Sequence, residues 1–221
     1  MNDLIIPEVL PTTIGRPTKA AKAKNAIQRV TIERNLQVIY EGEQFRYFSY
    51  DEIHEILSDK LKTEDYDAWF LCFCLWHTGV RVSEALSVRT SSIDLMASAL
   101  RVRTLKRKRE HWRGIPLHQS FLGEYALYIN NKGLRRDDQL FPIGRKTAYN
   151  WCRKACEMAG YFDGRAHPHS FRHSFSMNAL RNGVPIPALK ELLGHSDINK
   201  TLIYTRLTGA DLQHYIQNSR F

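Results

Sequence analysis

The chain has 221 residues, a length that suits one full domain with an extension or two small domains. Hydrophobic residues make up 43% of the chain, enough for a sizeable core, which argues against a wholly disordered protein. Its 32 Lys and Arg exceed its 23 Asp and Glu, and the resulting charge of +9 favours polyanionic partners, nucleic acid first. No secretory signal and no membrane span are expected, because residues 1–7 lack a basic start and residues 68–76 are too few.

Residues 1–44 differ in composition from the rest of the chain. Prolines and a glycine interrupt regular structure, and several cations follow with few acids among them. Two interpretations carry equal weight: a basic arm that lies on phosphates or in a minor groove, and a solvated flexible tail. In the first interpretation the DNA-binding candidates are Arg16, Lys19, Lys22 and Lys24.

A packed domain is predicted to begin near residue 45. Ser49 and Glu52 have the spacing of a capping box, which predicts that Ser49 starts a helix. The next helix is predicted to start at residues 63–65 and to stop near Gly79, a residue type common at helix C-termini. Because this second helix is apolar nearly all round, we expect it to lie at the centre of the domain.

The hydrophobic period changes at residues 93–117. Leu100–Leu105 alternates apolar and polar residues, a cationic run follows, and Trp112–Leu117 predicts a second strand. This pattern indicates a small antiparallel hairpin with a cationic tip. Helices are predicted over about 119–130, 145–159, 170–182, 186–193, 197–205 and 208–218, so the fold class is mainly α with one small antiparallel sheet (α+β).

The four cysteines are predicted to be reduced and buried. Cys152 and Cys156 share a helix face, but a four-residue helical spacing is too wide for an unstrained disulfide. Cys72 and Cys74 point to different faces of their helix, and no C-x-x-C pair suggests zinc. Reduced thiols suit the cytoplasm, and a DNA-directed protein there would be associated with the nucleoid.

Three short motifs occur in a fixed order along the chain. They are Thr78–Leu86 with Arg81 at its centre, His169-Ser170-Phe171-Arg172-His173, and Leu192–Ser196 followed by Tyr204. Together they resemble the motifs of the tyrosine recombinase (phage integrase) family, and the resemblance runs from about residue 45 to residue 207. The resemblance implies the catalytic-domain fold of that family, with double-stranded DNA as the partner.

Arg81 and Arg172 are the expected phosphate clamp. Cleavage of a phosphodiester places extra negative charge on the non-bridging oxygens, and a guanidinium offers a permanently charged, planar donor fork for them. Glu84, three residues after Arg81, is expected on the same helical face, where its carboxylate would steady the guanidinium. A plain intrahelical ion pair is the competing interpretation.

Tyr204 is the expected nucleophile, and histidines are expected to assist it. A phenol with a pKa near 10 attacks poorly until its proton is removed. The resemblance makes His169 the candidate base and His195 the candidate hydrogen-bond donor to the phosphate. His173, four residues after His169, is expected to act as a supporting partner rather than a primary catalyst.

The hairpin is expected to supply the proton for the leaving 5′ oxygen. The resemblance implies a lysine there; Lys106 is preferred because it ends the alternating strand, and Lys108 is the alternative. The neighbouring Arg107, Arg109 and Arg113 are expected to contact phosphates without reading sequence. No metal and no cofactor are expected; His169 and His173 form an H-x-x-x-H, but the glutamate of a zinc hydrolase is absent.

The expected function is site-specific DNA recombination through a 3′-phosphotyrosyl intermediate, independent of metal and ATP. The alternatives are a type IB topoisomerase-like or hairpin-forming enzyme, and a silent DNA-binding regulator of the same fold. Residues 45–207 are expected to be the catalytic domain, and residues 208–221 a helical tail that packs on a neighbouring subunit or folds back. A homo-oligomer on DNA is expected. Only about 44 residues precede the domain, so an accessory DNA-bending protein is a possible partner.

Overall fold

The computed structural model describes residues 39–40, 43–44, 47–104, 112–202 and 204. The chain divides into two units, residues 1–36 and 37–221, and every described residue belongs to the second unit. Two two-residue strands, β1 (Ile39–Tyr40) and β2 (Glu43–Gln44), pair antiparallel within the segment that was predicted to be a basic arm. The arm cations, the hairpin tip and the C-terminal tail lie outside the described residues.

Helix α1 (Tyr50–Ile56) begins as the sequence predicts. The Ser49 hydroxyl accepts a hydrogen bond from the Glu52 backbone N–H, and the Glu52 carboxylate accepts one from the Ser49 N–H. This reciprocal pair satisfies two backbone donors that the first helical turn leaves unbonded. A short helix that was not predicted, α2 (Asp59–Glu64), follows and buries Leu61.

Helix α3 (Tyr66–Thr78) forms the centre of the domain. Asp65 caps its start, and the residues from Ala68 to Trp76 are all buried, which confirms the central position expected from its apolar surface. Gly79 ends it in the left-handed conformation, with a φ of 61°. A Cβ at this position would lie 2.2 Å from the Phe175 ring, so both the backbone angle and the packing require glycine.

A three-stranded antiparallel sheet follows the short helix α4 (Val82–Ala85) and a 3₁₀ turn over Thr90–Ser92. Its strands are β3 (Ile93–Asp94), β4 (Ala99–Arg103) and β5 (Trp112–Pro116), in the order β3-β4-β5. Along β4 and β5, buried and exposed residues alternate. The inner face therefore packs on the core, and the outer face carries exposed side chains.

Five further helices complete the described domain: α5 (Gln119–Lys132), α6 (Arg145–Met158), α7 (Pro168–Arg181), α8 (Ile186–Leu193) and α9 (Asn199–Leu202). Helices α6 and α7 pack on α3, and α8 packs on α7 and on β5. The fold class, mainly helical with one small antiparallel sheet, is confirmed. None of the described helices is long and apolar enough to cross a membrane.

The four thiols are free and buried, as predicted. Cys72 on α3 and Cys152 on α6 bring their sulfur atoms to 3.8 Å, where α3 and α6 pack together. Burial is the largest cause that raises the pKa of Cys72 and of Cys74, the latter to about 12. Cys72 and Cys74 are therefore protonated core residues at neutral pH.

Candidate functional site

Arg81 stands between the glycine turn and the short helix α4. It is the N-cap of α4 rather than a residue of the helix, which corrects the expectation that Arg81 and Glu84 share a helical face. The Glu84 carboxylate accepts hydrogen bonds from the Arg81 backbone N–H at 2.9 Å and from its Nη1 at 3.1 Å. The predicted contact between the Glu84 carboxylate and the Arg81 guanidinium therefore exists. It is formed at the N-terminus of α4, with Arg81 as the N-cap, and not between two residues within a helix.

Arg172 lies on α7 with 3% of its surface exposed. Its Nη1 donates to the Gly79 carbonyl oxygen at 2.6 Å, and its Nη2 donates to the Leu193 carbonyl oxygen at 2.8 Å. Arg81 Nη1 lies 3.5 Å from the same Leu193 oxygen. Residues distant in sequence thus bring two guanidiniums to one acceptor, the carbonyl at the C-terminus of α8.

Burial, and next the nearby charge of Arg81, lower the pKa of Arg172 to about 10. This group still carries its charge at neutral pH. Arg172 is buried and Arg81 is partly buried. Two cations this close together favour a nearby anion, because an opposite charge offsets both the cost of burial and the repulsion between the cations.

Arg113 has protein partners where phosphate contacts were predicted. It lies on the inner face of β5 and is 8% exposed. Its Nη1 and Nη2 donate to the two Glu84 carboxylate oxygens at 3.2 and 2.8 Å, and Nη1 also donates to the Thr104 hydroxyl. Its Nε donates to the Leu192 carbonyl oxygen at 2.9 Å. Arg113 therefore joins the hairpin, α4 and the end of α8.

Glu84 is shared by two arginines. Burial by itself would raise the pKa of Glu84, but the hydrogen bonds and charge of Arg113, with a smaller contribution from Arg81, lower it below its ordinary value. The carboxylate is therefore ionised at neutral pH although it is only 1% exposed. A buried anion between two cations holds the Arg81 side chain in place.

His195 follows Gly194, the left-handed C-cap of α8. Its Nε2 lies 3.0 Å from Arg172 Nη2, and its Nδ1 lies 2.9 Å from the Thr201 hydroxyl. Since a guanidinium only donates, Nε2 must be the acceptor and Nδ1 carries the proton. Burial, then the charges of Arg172 and Arg81, lower the pKa of His195 to about 3.

The predicted donor role of His195 requires a change from this state. When a phosphate takes the Arg172 donor, Nε2 loses its present partner and becomes available to the same anion. Donation from Nε2 then needs a tautomer change or a proton, either of which the negative charge of the phosphate favours.

Tyr204 is buried among side chains of α7 and α8, with 3% of its surface exposed. Its hydroxyl oxygen lies 2.9 Å from Nδ1 of His173. Burial raises the pKa of Tyr204, while a hydrogen bond with Ser176 and the charges of Arg172 and Arg81 act in the opposite direction. The phenol is therefore neutral, close to a histidine, and within the field of both arginines.

His173, expected only as a supporting partner, contacts the tyrosine hydroxyl directly. His169, the predicted base, lies one turn earlier on α7, with its ring centre 6.3 Å from that of His173. Burial, then the charges of His169, Arg172 and His167, lower the pKa of His173 to about 4. His173 is thus neutral at pH 7, and a neutral imidazole has one nitrogen that can accept a proton. Its i,i+4 spacing from His169 was the sequence signal for this position.

The remaining predicted site residues lie outside the described segments: Lys106, Lys108, Arg107, Arg109, Arg16, Lys19, Lys22 and Lys24. Among residues 47–104, 112–202 and 204, no group of three or more His, Cys, Asp or Glu side chains has the arrangement of a metal site.

Comparison with known proteins places this site in a family. The phage integrase family model matches residues 46–210. Tyrosine recombinase XerA of Thermococcus onnurineus is 32% identical over 181 residues, which cover 77% of this chain and 61% of the relative. A probable site-specific recombinase from the afa region of Escherichia coli is 30% identical over 152 residues, or 62% of each chain.

Solved structures share the fold. The crystal structure of XerA recombinase superposes with a TM-score of 0.66 at 24% identity, covering 86% of this chain and 69% of that one. The catalytic domain of bacteriophage HP1 integrase superposes with a TM-score of 0.55 at 22% identity, covering 84% of this chain and 96% of that domain.

The matched residues, 46–210, make up well over half of the 221-residue chain, and the protein belongs to the phage integrase family. The three ordered motifs all fall within this match, and the fold is that of the integrase catalytic domain. The chain spans 61% and 53% of the length of two XerA relatives that it matches, from Thermococcus onnurineus and Saccharolobus solfataricus.

Proposed function

We propose that this chain is a site-specific DNA recombinase that breaks and rejoins strands through a covalent bond between Tyr204 and a 3′ phosphate. The observation that carries the proposal is the convergence of Arg81 and Arg172 on the Leu193 carbonyl, with His195 bonded to Arg172. A DNA phosphate that replaced this weak acceptor would meet two guanidiniums and an imidazole together. Family membership and relatives described as tyrosine recombinases support the same reading.

In the proposed cleavage step, the Tyr204 oxygen forms a bond to phosphorus while the bond from phosphorus to the 5′ oxygen breaks. His173 is the favoured acceptor of the phenol proton because its Nδ1 lies 2.9 Å from that oxygen; His169 is the alternative. The 5′ oxygen takes a proton from the hairpin, for which Lys106 and Lys108 remain the candidates. Attack by another strand's 5′ hydroxyl on the phosphotyrosine reverses the step and rejoins the DNA.

Neither a metal ion nor ATP takes part in the proposed reaction. The charge that develops on the phosphate oxygens is balanced by Arg81 and Arg172, which do the work of cations at other phosphoryl-transfer sites. The phosphotyrosyl ester keeps the energy of the broken phosphodiester, so religation needs no external energy source.

The proposal is tested by covalent capture on DNA. The substrates are duplexes from the regions that flank the encoding gene, each nicked near a candidate site. Cleavage releases the short fragment between the scissile phosphate and the nick, which carries the free 5′ hydroxyl, and its loss traps the protein on the DNA. We expect a denaturation-resistant complex with the wild type, none with Tyr204→Phe, and an undiminished amount with the matched control Tyr215→Phe. A complex formed by Tyr204→Phe would contradict the proposal. Exchanged strands, rather than relaxed circles or hairpin ends, distinguish a recombinase from a topoisomerase-like enzyme.

A further inference from the structure

The outer face of the three-stranded sheet carries a cationic groove that the proposed chemistry leaves unused. The groove has a volume of about 490 Å³ and lies between β4, β5 and the turn that follows α4. Its described lining comes from Ser87, Arg89, Ser91, Ser92, Arg101, Arg103 and Trp112, with Val88 and Val102, and no Asp or Glu is among these residues. We name it the outer-sheet groove.

Strand alternation separates this groove from the catalytic centre. On β5, Arg113 points inward to Glu84, whereas the preceding Trp112 points outward and is 53% exposed. On β4, Arg101 and Arg103 are exposed while Val102 between them is buried. Because Arg103 pairs with Trp112 across the two strands, these side chains are neighbours on one surface.

The groove has the components of a nucleotide-binding surface. The Arg101 guanidinium carbon lies 5.9 Å from the centre of the Trp112 ring, so a cation and an aromatic face stand side by side. The Arg89 guanidinium is anchored by its Nη1, which donates to the Asp137 carbonyl oxygen. The hydroxyls of Ser91 and Ser92 add short, neutral hydrogen-bonding groups, whereas the Ser87 hydroxyl already donates to the Glu84 carbonyl oxygen.

We propose that the outer-sheet groove binds the DNA backbone, with phosphates on Arg89, Arg101 and Arg103 and a sugar or base edge against Trp112. Charge favours DNA over other occupants, because the described lining residues include three cations and no anion, and the chain as a whole carries +9. The volume suits roughly one nucleotide, since small-ligand sites span about 300–1,000 Å³. An acidic protein segment is the competing occupant.

This inference deepens the proposed function, since it extends the DNA footprint beyond the scissile phosphate. It can fail separately, because backbone binding is measured on DNA that is not cleaved. The contacts would be independent of sequence, so a 30-base-pair duplex of random sequence is a sufficient probe.

The test is the salt dependence of binding, measured by fluorescence anisotropy with that duplex. Each lost phosphate contact lowers the slope of log affinity against log salt by about 0.9, so Arg101→Ala/Arg103→Ala should lower it by about 2. The matched control, Lys60→Ala/Lys146→Ala, removes two exposed cations outside the groove and should change the slope less. An unchanged slope in the groove variant, or an equal loss in the control, would overturn the proposal.

Tryptophan emission gives a second measurement that does not depend on charge. Addition of the duplex should quench wild-type emission. Trp112→Phe should remove much of that quenching, because Trp112 is the most exposed of the four tryptophans: Trp69 and Trp76 are buried and Trp151 is partly buried. Equal quenching in the two proteins would exclude DNA from the groove. DNA binding that is insensitive to every groove variant, together with normal covalent capture, would leave the proposed function intact and refute this inference alone.

Discussion

Arg113 and Glu84 form the buried ion pair on which the position of Arg81 depends. A guanidinium fork holds both carboxylate oxygens, and the same carboxylate then receives Arg81. Removal of one partner from such a pair leaves a buried charge without compensation, typically at a cost of about 3–5 kcal/mol. In the proposed reaction, Arg113 is therefore a positioning residue that acts on Arg81 through Glu84.

Replacement of Arg113 by lysine keeps the charge but loses the fork. We expect Arg113→Lys to slow cleavage at saturating DNA by roughly 10- to 100-fold, because small misplacements of a catalytic group cost about that much. DNA affinity should be almost unchanged, because Arg113 is buried. The control Arg153→Lys alters an exposed helix pair and should leave both quantities unchanged. Weakened DNA binding with a normal rate at saturation would instead return Arg113 to the phosphate-contact role.

Stability should fall with acid because three described histidines are largely buried in their neutral forms: His173, His195 and His77, whose pKa burial lowers to about 4. Burial is the largest cause that lowers the pKa of His173 to about 4 and that of His195 to about 3, whereas an unfolded histidine has a pKa near 6.5. Between these values the unfolded chain binds more protons than the folded one, so stability is complete above about pH 6.5 and decreases as the pH falls towards 4.

Urea unfolding at pH 7 and pH 5 measures this dependence. We expect the wild-type midpoint to be clearly lower at pH 5, and His195→Asn to show a smaller difference between the two pH values. Glu84 does not interfere, because its lowered pKa contributes stability that is lost only below the ordinary range of a carboxyl. Equal wild-type midpoints at the two pH values would contradict the neutral state of these histidines.

At the scale of the elements, the turn between α3 and α4 places the first arginine. Gly79 ends α3, its carbonyl oxygen accepts from Arg172, and Arg81 follows two residues later. One left-handed glycine therefore connects the central helix to both arginines of the proposed phosphate clamp.

Gly79→Ala should destabilise the fold by more than about 2 kcal/mol and reduce cleavage. The cost has two parts: about 1 kcal/mol for the left-handed backbone angle, and a further cost for a Cβ placed 2.2 Å from Phe175. Gly133 is a matched control, since it also ends a helix at a φ of 61° but has no atom near the position of a Cβ. Gly133→Ala should cost only about 1 kcal/mol in urea unfolding. Equal losses in the two variants would contradict the steric argument.

Much of this element structure could be predicted from local sequence signals. The Ser49 capping box, the Gly79 helix end and the helix at residues 186–193 are set by neighbours in the chain, and each appears where the sequence indicates. The two-residue strand β3 has no periodicity to detect, and α2 is too short for a hydrophobic stripe, so both were missed. Such elements form because tertiary contacts supply what their own sequence lacks.

The site residues were harder to predict when their role depends on a partner far away in the chain. Arg172 and Tyr204 were proposed from their motifs alone. The environment of Arg113, by contrast, is set by Glu84 and Leu192, 29 and 79 positions away. A usable signal was present: Ile115 must face the core, so strand alternation also turns Arg113 inward. The contact of His173 with Tyr204 was likewise not local, because it joins residues 31 positions apart in the chain.

For the whole molecule, the positive charge in the proposed reaction comes from Arg81 and Arg172 instead of metal ions. Covalent capture should therefore be the same after extensive dialysis against EDTA as before it, apart from a small change in ionic strength. A matched sample with added Mg²⁺ separates effects on DNA from effects on the protein. Loss of capture after chelation, restored by a divalent ion, would show that the two guanidiniums are insufficient.

The covalent bond between Tyr204 and DNA is tested most directly by identification of the side-chain atom that is bonded to the DNA. Wild-type protein captured on a nicked duplex is digested with protease and nuclease, and the nucleotide-bearing peptide is sequenced by mass spectrometry. We expect a single modified residue, Tyr204, with the nucleotide joined through its 3′ phosphate. Attachment to Tyr215 or to any other side chain would contradict this expectation, as would a linkage through a 5′ phosphate.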